Sequence, residues 1–417
     1  MVTAPHSTPS APPPEAPEAS SGPRGFWRDL GIAHIGNGLA GFFFAASGPL
    51  AIVLATGRKG GLTEAELASW VFGSLAINGL VSIGYSLAWR QPLVFFWTIP
   101  GTVLVASALD HLTFPQVIGA YIATGILMLL LGLSGWVKRT MAVIPMPIVM
   151  GMVAGAFLDF GLDWVRAFRS DWIIAAAMTA AFLAVSALPL VSRWLPPLIA
   201  ALIVGALVIY QWGTFSPALG EASWLAAPLL QVPSFSLAAM AELVVPLAIT
   251  VLVVQNGQGI AVLTAAGHTP PVDQIAAGCG ASSIVSAFVG AVPTCLTGPV
   301  NAIISASGDR HGQYTAGVVI GLLGVGFGLL APLVTRLMLS TPPAFVATLA
   351  GLAMLRVLQS AFSVAFQGRF ALGALVTFLV TVAAIPILGI GAPFWALVAG
   401  TAASLFLDRA DWRAART

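Results

Sequence analysis

Two short stretches of the chain place threonine, proline and aspartate at the same spacing. In TIPGTVLVASALD and in LTGPVNAIISASGD, a threonine (Thr98 or Thr297) is followed by a proline after two residues and by an aspartate after twelve. Proline lacks a backbone N–H and suits the first turn of a helix, and the threonine before it can cap the free N–H groups of that turn. Each stretch therefore predicts a short helix that begins inside an apolar region, after irregular or extended backbone.

The N-terminus of such a half-helix is suited to an anion. The helix dipole gives that end a partial positive charge, and two opposed N-termini can bind a carboxylate. Thr98, Gly101, Thr297 and Val300 are the residues predicted to offer it hydroxyls or backbone N–H groups. The alternative is that both prolines only kink ordinary helices, which requires no ligand.

A run of amides lies in another apolar stretch. VVQNGQGIAV places Gln255, Asn256 and Gln258 among apolar residues, with glycines that loosen the helix. Polar groups within a membrane need partners, so the run either bonds to neighbouring helices or binds a ligand. Because helix packing needs fewer amides than this, we predict that Gln255 and Asn256 hydrogen-bond a ligand. Phe96 and Trp97 can stack on an aromatic ligand, although aromatic residues in a span more often pack against helices.

Four ionisable residues occur in apolar segments: His34, Asp159, Glu242 and Arg356. A charge within a membrane is costly and suggests a role in the movement of protons or ions. Each of the four lies near the end of a predicted segment, where snorkelling to water explains it more simply. His34, Asp159 and Glu242 are the candidates for proton coupling.

Helices in a membrane must position these residues, because the composition suits no other solvent. Hydrophobic residues make up 58% of the 417 residues and charged residues only 8%, against about 25% in soluble domains. Apolar runs long enough to span a bilayer alternate with short polar loops from Phe26 onward. They predict fourteen segments, of which 295–308 is too short to span alone: 30–54, 67–89, 92–109, 115–135, 142–160, 171–190, 195–212, 239–265, 273–292, 295–308, 314–333, 342–360, 370–388 and 391–407.

Charge placement predicts that both ends of the chain face the cytoplasm. Residues 1–25 are rich in Pro, Ala, Ser and Glu and predict a disordered N-terminal tail, and 409–417 form the C-terminal tail. With the N-terminus inside, eleven basic residues fall on the cytoplasmic side and five on the other, as the positive-inside rule requires. A missed segment would blur this contrast.

The two Thr-x-Pro stretches indicate an internal repeat. They are 297 − 98 = 199 residues apart and belong to the third and tenth segments, which are equivalent in two halves of seven. Because seven is odd, the second half enters the membrane from the opposite side, as in many secondary transporters. The sequence predicts an all-α polytopic membrane protein with repeats at 26–212 and 239–408, joined by a loop at 213–238.

Other function classes lack their motifs. There is no Walker loop, nucleophile elbow, zinc helix or carboxylate pair, so neither an enzyme nor an ATP-driven pump is expected. The histidines show no metal-ligand spacing, and Cys279 and Cys295 lie in apolar stretches as free thiols, so no metal or cofactor is expected. A net charge of +2 without a basic cluster predicts no nucleic-acid partner.

The chain resembles the benzoate/proton symporter family, the BenE-type transporters, through most of residues 30–407. The resemblance is carried by ASW at 68–70, SIGYSLAWRQPLVFFWTIPG at 82–101, IGAY at 118–121, GLSGWVKR at 132–139 and QNGQGIAVLTAAGHTPPV at 255–272. It implies uptake of an aromatic carboxylate with a proton through the inner membrane. It also implies the seven-plus-seven fold of the nucleobase permeases and sulfate/bicarbonate carriers, with a core domain that moves against a gate domain.

The resemblance places the substrate on the first, third, eighth and tenth segments. The residues it implies are Ser47, Gly48, Trp97 to Gly101, Gln255, Asn256 and Cys295 to Pro299, which include Gly298. The tenth segment departs from the family, because Cys295 stands where an asparagine is usual and Asn301 is displaced along the helix. A nucleobase or inorganic-anion carrier and a passive anion channel therefore remain alternatives to benzoate symport. A homodimer through the gate domain is the assembly that the related folds suggest.

Overall fold

The computed structural model describes residues 23–137, 139, 144–192, 195–211, 224–306, 308–385, 387–388 and 392–414. Residues 1–22 of the predicted tail, 213–223 of the predicted loop and 415–417 lie outside the described residues. The tail was predicted to end at residue 25, but a short helix already begins at Pro23. A second short helix occupies most of the predicted C-terminal tail.

Two sets of elements correspond to the two halves of the chain. The first set is α1 (Pro23–Asp29), α2 (Ile32–Lys59), α3 (Glu64–Trp89), β1 (Phe95–Trp97), α4 (Ile99–Ala108), α5 (Phe114–Ser134), α6 (Met146–Ser170), α7 (Trp172–Ala187), α8 (Pro189–Ser192) and α9 (Pro197–Gln211). The second set is α10 (Leu237–Ala265), α11 (Val272–Ala287), β2 (Thr294–Leu296), α12 (Gly298–Ile304), α13 (Gln313–Leu329), α14 (Ala331–Leu339), α15 (Pro343–Phe366), α16 (Ala371–Ala383), α17 (Ala392–Leu407) and α18 (Arg409–Ala414). Helix α2 breaks at Ser47, whose backbone is not helical, and α3 and α10 contain π-helical stretches.

Each of the fourteen predicted segments overlaps one of these helices, although α2, α6 and α15 continue beyond the predicted ends by five or more residues. Among the described residues, seven helices are long and apolar enough to cross a membrane, namely α2, α3, α5, α6, α10, α15 and the helix Arg310–Leu329 that includes α13. Large apolar side chains such as Leu130, Leu207 and Leu322 are more than half exposed, as expected of surfaces that face lipid. The chain is therefore a helical, multi-pass membrane protein.

The third and tenth segments are each a strand followed by a half-helix, as predicted. Strands β1 and β2 pair antiparallel, and Phe96 lies opposite Cys295 at the centre of the ladder. These two residues are 295 − 96 = 199 apart, which is the offset of the sequence repeat. Equivalent backbone bonds flank the pair at 3.0 and 3.2 Å: the N–H of Thr98 donates to the Pro293 carbonyl, and the N–H of Thr297 to the Val94 carbonyl. The chain thus has a pseudo-twofold axis through this ladder.

Most of the helices form two bodies around the ladder, which we call the core and the gate. The core consists of α2 to α5 and α10 to α13, in which α3 packs on α13 and α5 on α11. The gate consists of α6, α7, α9 and α15 to α17, in which α15 packs on α6 and α16 on α17. Each of these pairs except α16 with α17 joins helices from different halves of the chain, as an inverted repeat requires.

Contacts between helix ends agree with the predicted alternation of sides. Asp29 binds Arg90 and Tyr314, and His34 binds the carbonyl of Asp309, so these ends share one side. Three pairs of helix ends meet on the other side: Lys59 with Asp110, Glu64 with Arg336, and His111 with Glu242. On this second side, residues 224–236 of the predicted connecting loop run without a helix and bond to the ends of α13, α11 and α5.

Candidate functional site

Buried side chains hold the two strands in place. Asn301 accepts from the N–H of Val94 at 3.1 Å and donates to its carbonyl at 3.0 Å, so the displaced asparagine of the tenth segment fixes the strand of the third. Ser82 and Ser283 accept from the N–H groups of Phe95 and Thr294 at 2.8 and 2.9 Å, one on each strand. The crossing point is a rigid platform because its backbone groups are satisfied.

Asn256 belongs to this platform. Its carboxamide oxygen accepts from the N–H of Leu296 at 2.7 Å, and its carboxamide nitrogen lies 3.5 Å from the Cys279 sulfur. The side chain is 2% exposed and lines none of the cavities described below. The side chain of Asn256 thus holds β2 in place, and its predicted contact with a ligand stays a prediction.

The two half-helices begin differently, although their sequences match. The Thr98 hydroxyl caps α4 by accepting from the N–H of Gly101 at 3.1 Å, which confirms the predicted cap and leaves that N–H unavailable to a ligand. The Thr297 hydroxyl lies 3.4 Å from the carbonyl of Val94 and does not cap α12, contrary to prediction. The first-turn N–H groups of α12, including that of Val300, therefore receive no side-chain cap.

A small space lies where the half-helices meet α2 and α10, and we call it the central crevice. Its volume is about 20 Å³, which is room for about one water molecule. The residues that line it are Phe44, Ala45, Pro49, Phe96, Trp97, Ile99, Gln255, Thr297, Pro299 and Val300. Five predicted site residues are thus brought together: Phe96, Trp97, Gln255, Thr297 and Val300.

The crevice contains polar groups that the protein itself does not satisfy. The indole N–H of Trp97 is buried and has no acceptor among the residues that the structure describes. The Gln255 side chain is 5% exposed, and within the described part of the chain its carboxamide makes no hydrogen bond. A buried donor without a partner is costly, so both groups are suited to a polar ligand or an ordered water.

A larger space, the wide cavity, opens from the crevice between core and gate. Its volume is about 790 Å³, and it shares Phe44, Ile99, Gln255 and Pro299 with the crevice. Gate residues from the start of α6, from α9 and from the second half of α15 form its other wall. The lining is mostly apolar, and Arg356 is its one ionisable side chain among the described residues.

A second space, the acidic cavity, lies between core and gate at the opposite end of α6. Its volume is about 500 Å³. Its ionisable lining residues are Lys59, Asp110, His111, Asp159, Asp163 and Glu242. Four carboxyl groups thus face one ammonium and one imidazole, and the cavity is suited to cations or protons.

The three predicted coupling residues have different surroundings. His34 accepts from the N–H of Gly31 at 3.1 Å through Nδ1, which caps the start of α2, and its Nε2 lies 3.0 Å from the carbonyl of Asp309, which ties that helix start to a loop. Glu242 is 1% exposed and lies 2.8 Å from His111. Asp159 lines the same cavity, without an ion pair among the described residues. The structure brings Asp159 and Glu242 to one cavity and gives His34 a structural contact.

The other predicted site residues lie beside the crevice but do not line it. Ser47 donates to the carbonyl of Phe44, and Gly48 abuts Ala353 of the gate, where an added Cβ would lie 2.2 Å from the Ala353 Cβ. Cys295 is fully buried on β2 within an apolar cluster. Gly298 packs against the Gln258 side chain, which an added Cβ would approach to 2.5 Å.

Two residues of the cavities were not predicted as parts of a site. Arg356 was placed near the end of a segment at 342–360, but α15 continues to Phe366 and puts it mid-helix. His111 follows the third segment as a loop residue, and nothing in the sequence indicated its pairing with Glu242. A longer apolar window for the twelfth segment would have placed Arg356 in the middle of its helix. The pairing of His111 with Glu242 depends on tertiary contacts.

A family model described as "Benzoate membrane transport protein" (BenE) matches residues 28–406. The chain belongs to this family. It is 28% identical over 380 residues to the benzoate membrane transport protein of Acinetobacter baylyi, covering 88% of this chain and 94% of that one. It is 29% identical over 376 residues to the inner membrane protein YdcO of Escherichia coli, covering 87% and 93%.

A solved structure confirms the fold. The transmembrane domain of a cyanobacterium bicarbonate transporter, BicA, is similar with a TM-score of 0.58 at 15% identity, covering 90% of this chain and 98% of that one. At this identity the likeness shows the architecture alone. The predicted inverted-repeat membrane fold, with core and gate, is therefore correct, and this BenE-family chain is a membrane transporter.

Proposed function

We propose that this transporter carries a small aromatic carboxylate, such as benzoate, together with protons. The observation that supports this most is the central crevice, where Trp97, Phe96 and Phe44 surround unsatisfied polar groups at the start of a half-helix. Aromatic side chains pack on a ring, while N–H donors and a helix N-terminus suit the carboxylate. The family match and the benzoate transporter of Acinetobacter baylyi agree with this substrate class.

The donors proposed for the carboxylate are those that the protein leaves unpaired. They are the Gln255 carboxamide, the Trp97 indole N–H and the uncapped first turn of α12. The Thr297 hydroxyl would join them only by giving up its contact with the Val94 carbonyl. Phe96 and Phe44 would flank the ring. Thr98, Gly101 and Asn256 would act indirectly, because their polar groups already position α4 and β2.

Transport would proceed by movement of the core against the gate. The wide cavity and the acidic cavity open from opposite ends of α6, and the Gly48–Ala353 contact separates them beside the crevice. With both termini in the cytoplasm, as the basic residues predict, the wide cavity faces the cytoplasm of a bacterial inner membrane. The crevice has room for only about one water molecule in this conformation, so a substrate would enter only when the gate moves.

Protons would pass through the acidic cavity. Glu242 is buried beside His111 and can exchange a proton with it or with water in the cavity, and Asp159 lies in the same lining. The proton can also travel on the substrate as the neutral acid, which would make these residues dispensable.

Uptake of labelled benzoate into proteoliposomes with an inward proton gradient tests the function. We expect accumulation above the external concentration, abolished by a protonophore and reduced at least tenfold in Gln255→Ala, which removes one of the proposed donors. Accumulation that persists without a proton gradient would contradict symport. Accumulation of a nucleobase or an inorganic anion in place of benzoate would contradict the substrate class and keep the fold.

A further inference from the structure

We propose that Arg356 forms a second carboxylate site in the wide cavity, where it captures the organic anion before the anion enters the central crevice. This inference rests on the proposed function and deepens it, because it assigns the counter-charge that the crevice lacks. The crevice contains amide, indole and backbone donors, but no cationic side chain lines it. Arg356 of the gate helix α15 would supply the counter-charge, about one helical turn from the Gly48–Ala353 contact that separates the cavities.

The position of Arg356 within α15 excludes an interfacial role. Ten residues separate it from the C-terminal end at Phe366 and thirteen from Pro343, so it lies about 15 Å and about 20 Å from the two ends. A snorkelling side chain does not cover such a distance. Ala353, which touches Gly48 of the core, precedes Arg356 by three residues, or about 4.5 Å along the axis.

The guanidinium has no counter-ion among the residues that the structure describes. No ion pair or hydrogen bond to Arg356 occurs within the part of the chain that the structure describes, whereas Arg58, Arg90, Arg166, Arg310 and Arg336 each bond to protein groups. An arginine in mid-helix of a membrane protein is costly unless an anion or a wet cavity compensates it. The wide cavity supplies water, and a substrate carboxylate would supply the anion.

The rest of the lining is suited to an amphiphilic anion. Ser360 follows Arg356 by four residues on the same face of α15, and Gln255 and Gln258 line the cavity from the core. Met146, Met150 and Phe182 of the gate provide apolar surface for a ring. An inorganic anion would bind the guanidinium but leave that surface unused, so the ligand class is an aromatic or aliphatic monocarboxylate.

Equilibrium binding of labelled benzoate to purified protein tests this site without transport. The variants are Arg356→Gln and Arg356→Lys, with Arg369→Gln as the matched control. Arg369 is an exposed arginine of the loop after α15, carries the same charge and lines neither cavity. Unlabelled benzamide, the uncharged analogue, competes in parallel to isolate the contribution of the carboxylate.

We expect Arg356→Gln to weaken benzoate binding about tenfold to a hundredfold, the range for a hydrogen bond to a charged group, and to leave benzamide competition unchanged. Arg356→Lys would recover part of the affinity, because it restores charge but not the bidentate fork. Affinity within twofold of wild type in Arg356→Gln, or no benzoate binding to the wild type, would overturn the site. Arg356-dependent binding without proton-driven accumulation would instead retain the site and contradict the proposed symport.

Discussion

The wide cavity and the acidic cavity lie in equivalent places of an inverted repeat but carry opposite charge. Asp159 on α6 and Arg356 on α15 are 356 − 159 = 197 residues apart, close to the repeat offset of 199, yet each lines a different cavity. The scaffold is symmetric because packing and strand pairing require it. The charge of the two linings is asymmetric, and under the proposed function the wide cavity would take the organic anion and the acidic cavity the protons.

The two cavities also differ in how their charges are compensated. In the acidic cavity Asp110 lies 3.5 Å from Lys59, and Asp163 lies 2.9 Å from Arg166. Exposed ion pairs such as these contribute little to stability and are weakened by salt. Glu242 differs, since it is buried and its one polar partner among the described residues is the imidazole of His111. Removal of a buried charge should therefore have a larger effect than removal of an exposed one.

Glu242→Gln should reduce proton-driven accumulation of benzoate more than the other substitutions that test the difference between the two cavities. The variant removes the buried carboxyl that is proposed to exchange a proton beside His111. Proton-driven accumulation of benzoate should therefore fall at least about tenfold, which is less than the roughly hundredfold that a positioned proton-transfer group typically contributes. Exchange of internal for external benzoate, which needs no net proton movement, should continue. The measurement is uptake with a proton gradient compared with counterflow without one.

Asp163→Asn is the control for Glu242→Gln. It removes the same charge from the same cavity, but its carboxyl is half exposed and paired with Arg166 within one helix. Accumulation should stay within about twofold of wild type, because such pairs are worth little. Equal losses in both variants would show that the cavity acts through its net charge and that Glu242 has no special role.

Gly48→Ala tests the contact that keeps the cavities apart. An added Cβ would lie 2.2 Å from the Ala353 Cβ and 3.2 Å from Leu198, so core and gate must separate or shift. We expect uptake to fall severalfold, and Ala353→Gly to restore it by making room. Gly36→Ala is the control on the same helix, since its added Cβ would meet nothing within 4 Å. Equal uptake in Gly48→Ala and wild type would indicate that this contact does not limit movement.

The two half-helices and their repeat could be predicted from local residue types, whereas side-chain contacts between elements far apart in the chain could not. Proline after threonine marked both half-helices, and their offset gave the repeat that the β1–β2 ladder then displayed. The same pattern did not show that Thr98 caps its helix while Thr297 turns to Val94, because that depends on the neighbouring strand. His111 and Glu242 are 131 residues apart, and only the fold brings them together.

Gln255 and Asn256 show what a sequence pattern alone does not resolve, namely which way each side chain of an adjacent pair points. Adjacent residues on a helix point about 100° apart, so at most one of them faces a given cavity. The π-helical stretch Thr250–Asn256 shifts these directions further, and no pattern in the sequence indicated it. Gln255 faces the crevice, and Asn256 faces β2.

Alanine substitutions of these two residues should separate stability from binding. Asn256→Ala leaves the buried N–H of Leu296 without its acceptor and should cost about 1–3 kcal/mol, seen as a lower thermal midpoint in detergent. Gln255→Ala breaks no hydrogen bond among the described residues, so its midpoint should stay near wild type while benzoate affinity falls. A midpoint loss in Gln255→Ala as large as in Asn256→Ala would contradict the assignment of separate roles.

Asp29→Asn should have the smallest effect and tests whether pH sensing is confined to the acidic cavity. Burial acts to raise the pKa of the Asp29 carboxyl, but the hydrogen bonds from Tyr314 and Arg28 and the charge of Arg28 outweigh it and hold the pKa below its usual range. A carboxyl with a depressed pKa contributes stability above its unfolded pKa of about 3.9 and loses it as the pH falls through the folded value. Between about pH 5 and pH 8 that contribution is constant. The variant should therefore lower the thermal midpoint by the same small amount across this range, without changing the pH profile of uptake. A pH profile that shifts in Asp29→Asn but not in Glu242→Gln would place proton sensing on the side of the wide cavity and reverse the comparison between the cavities.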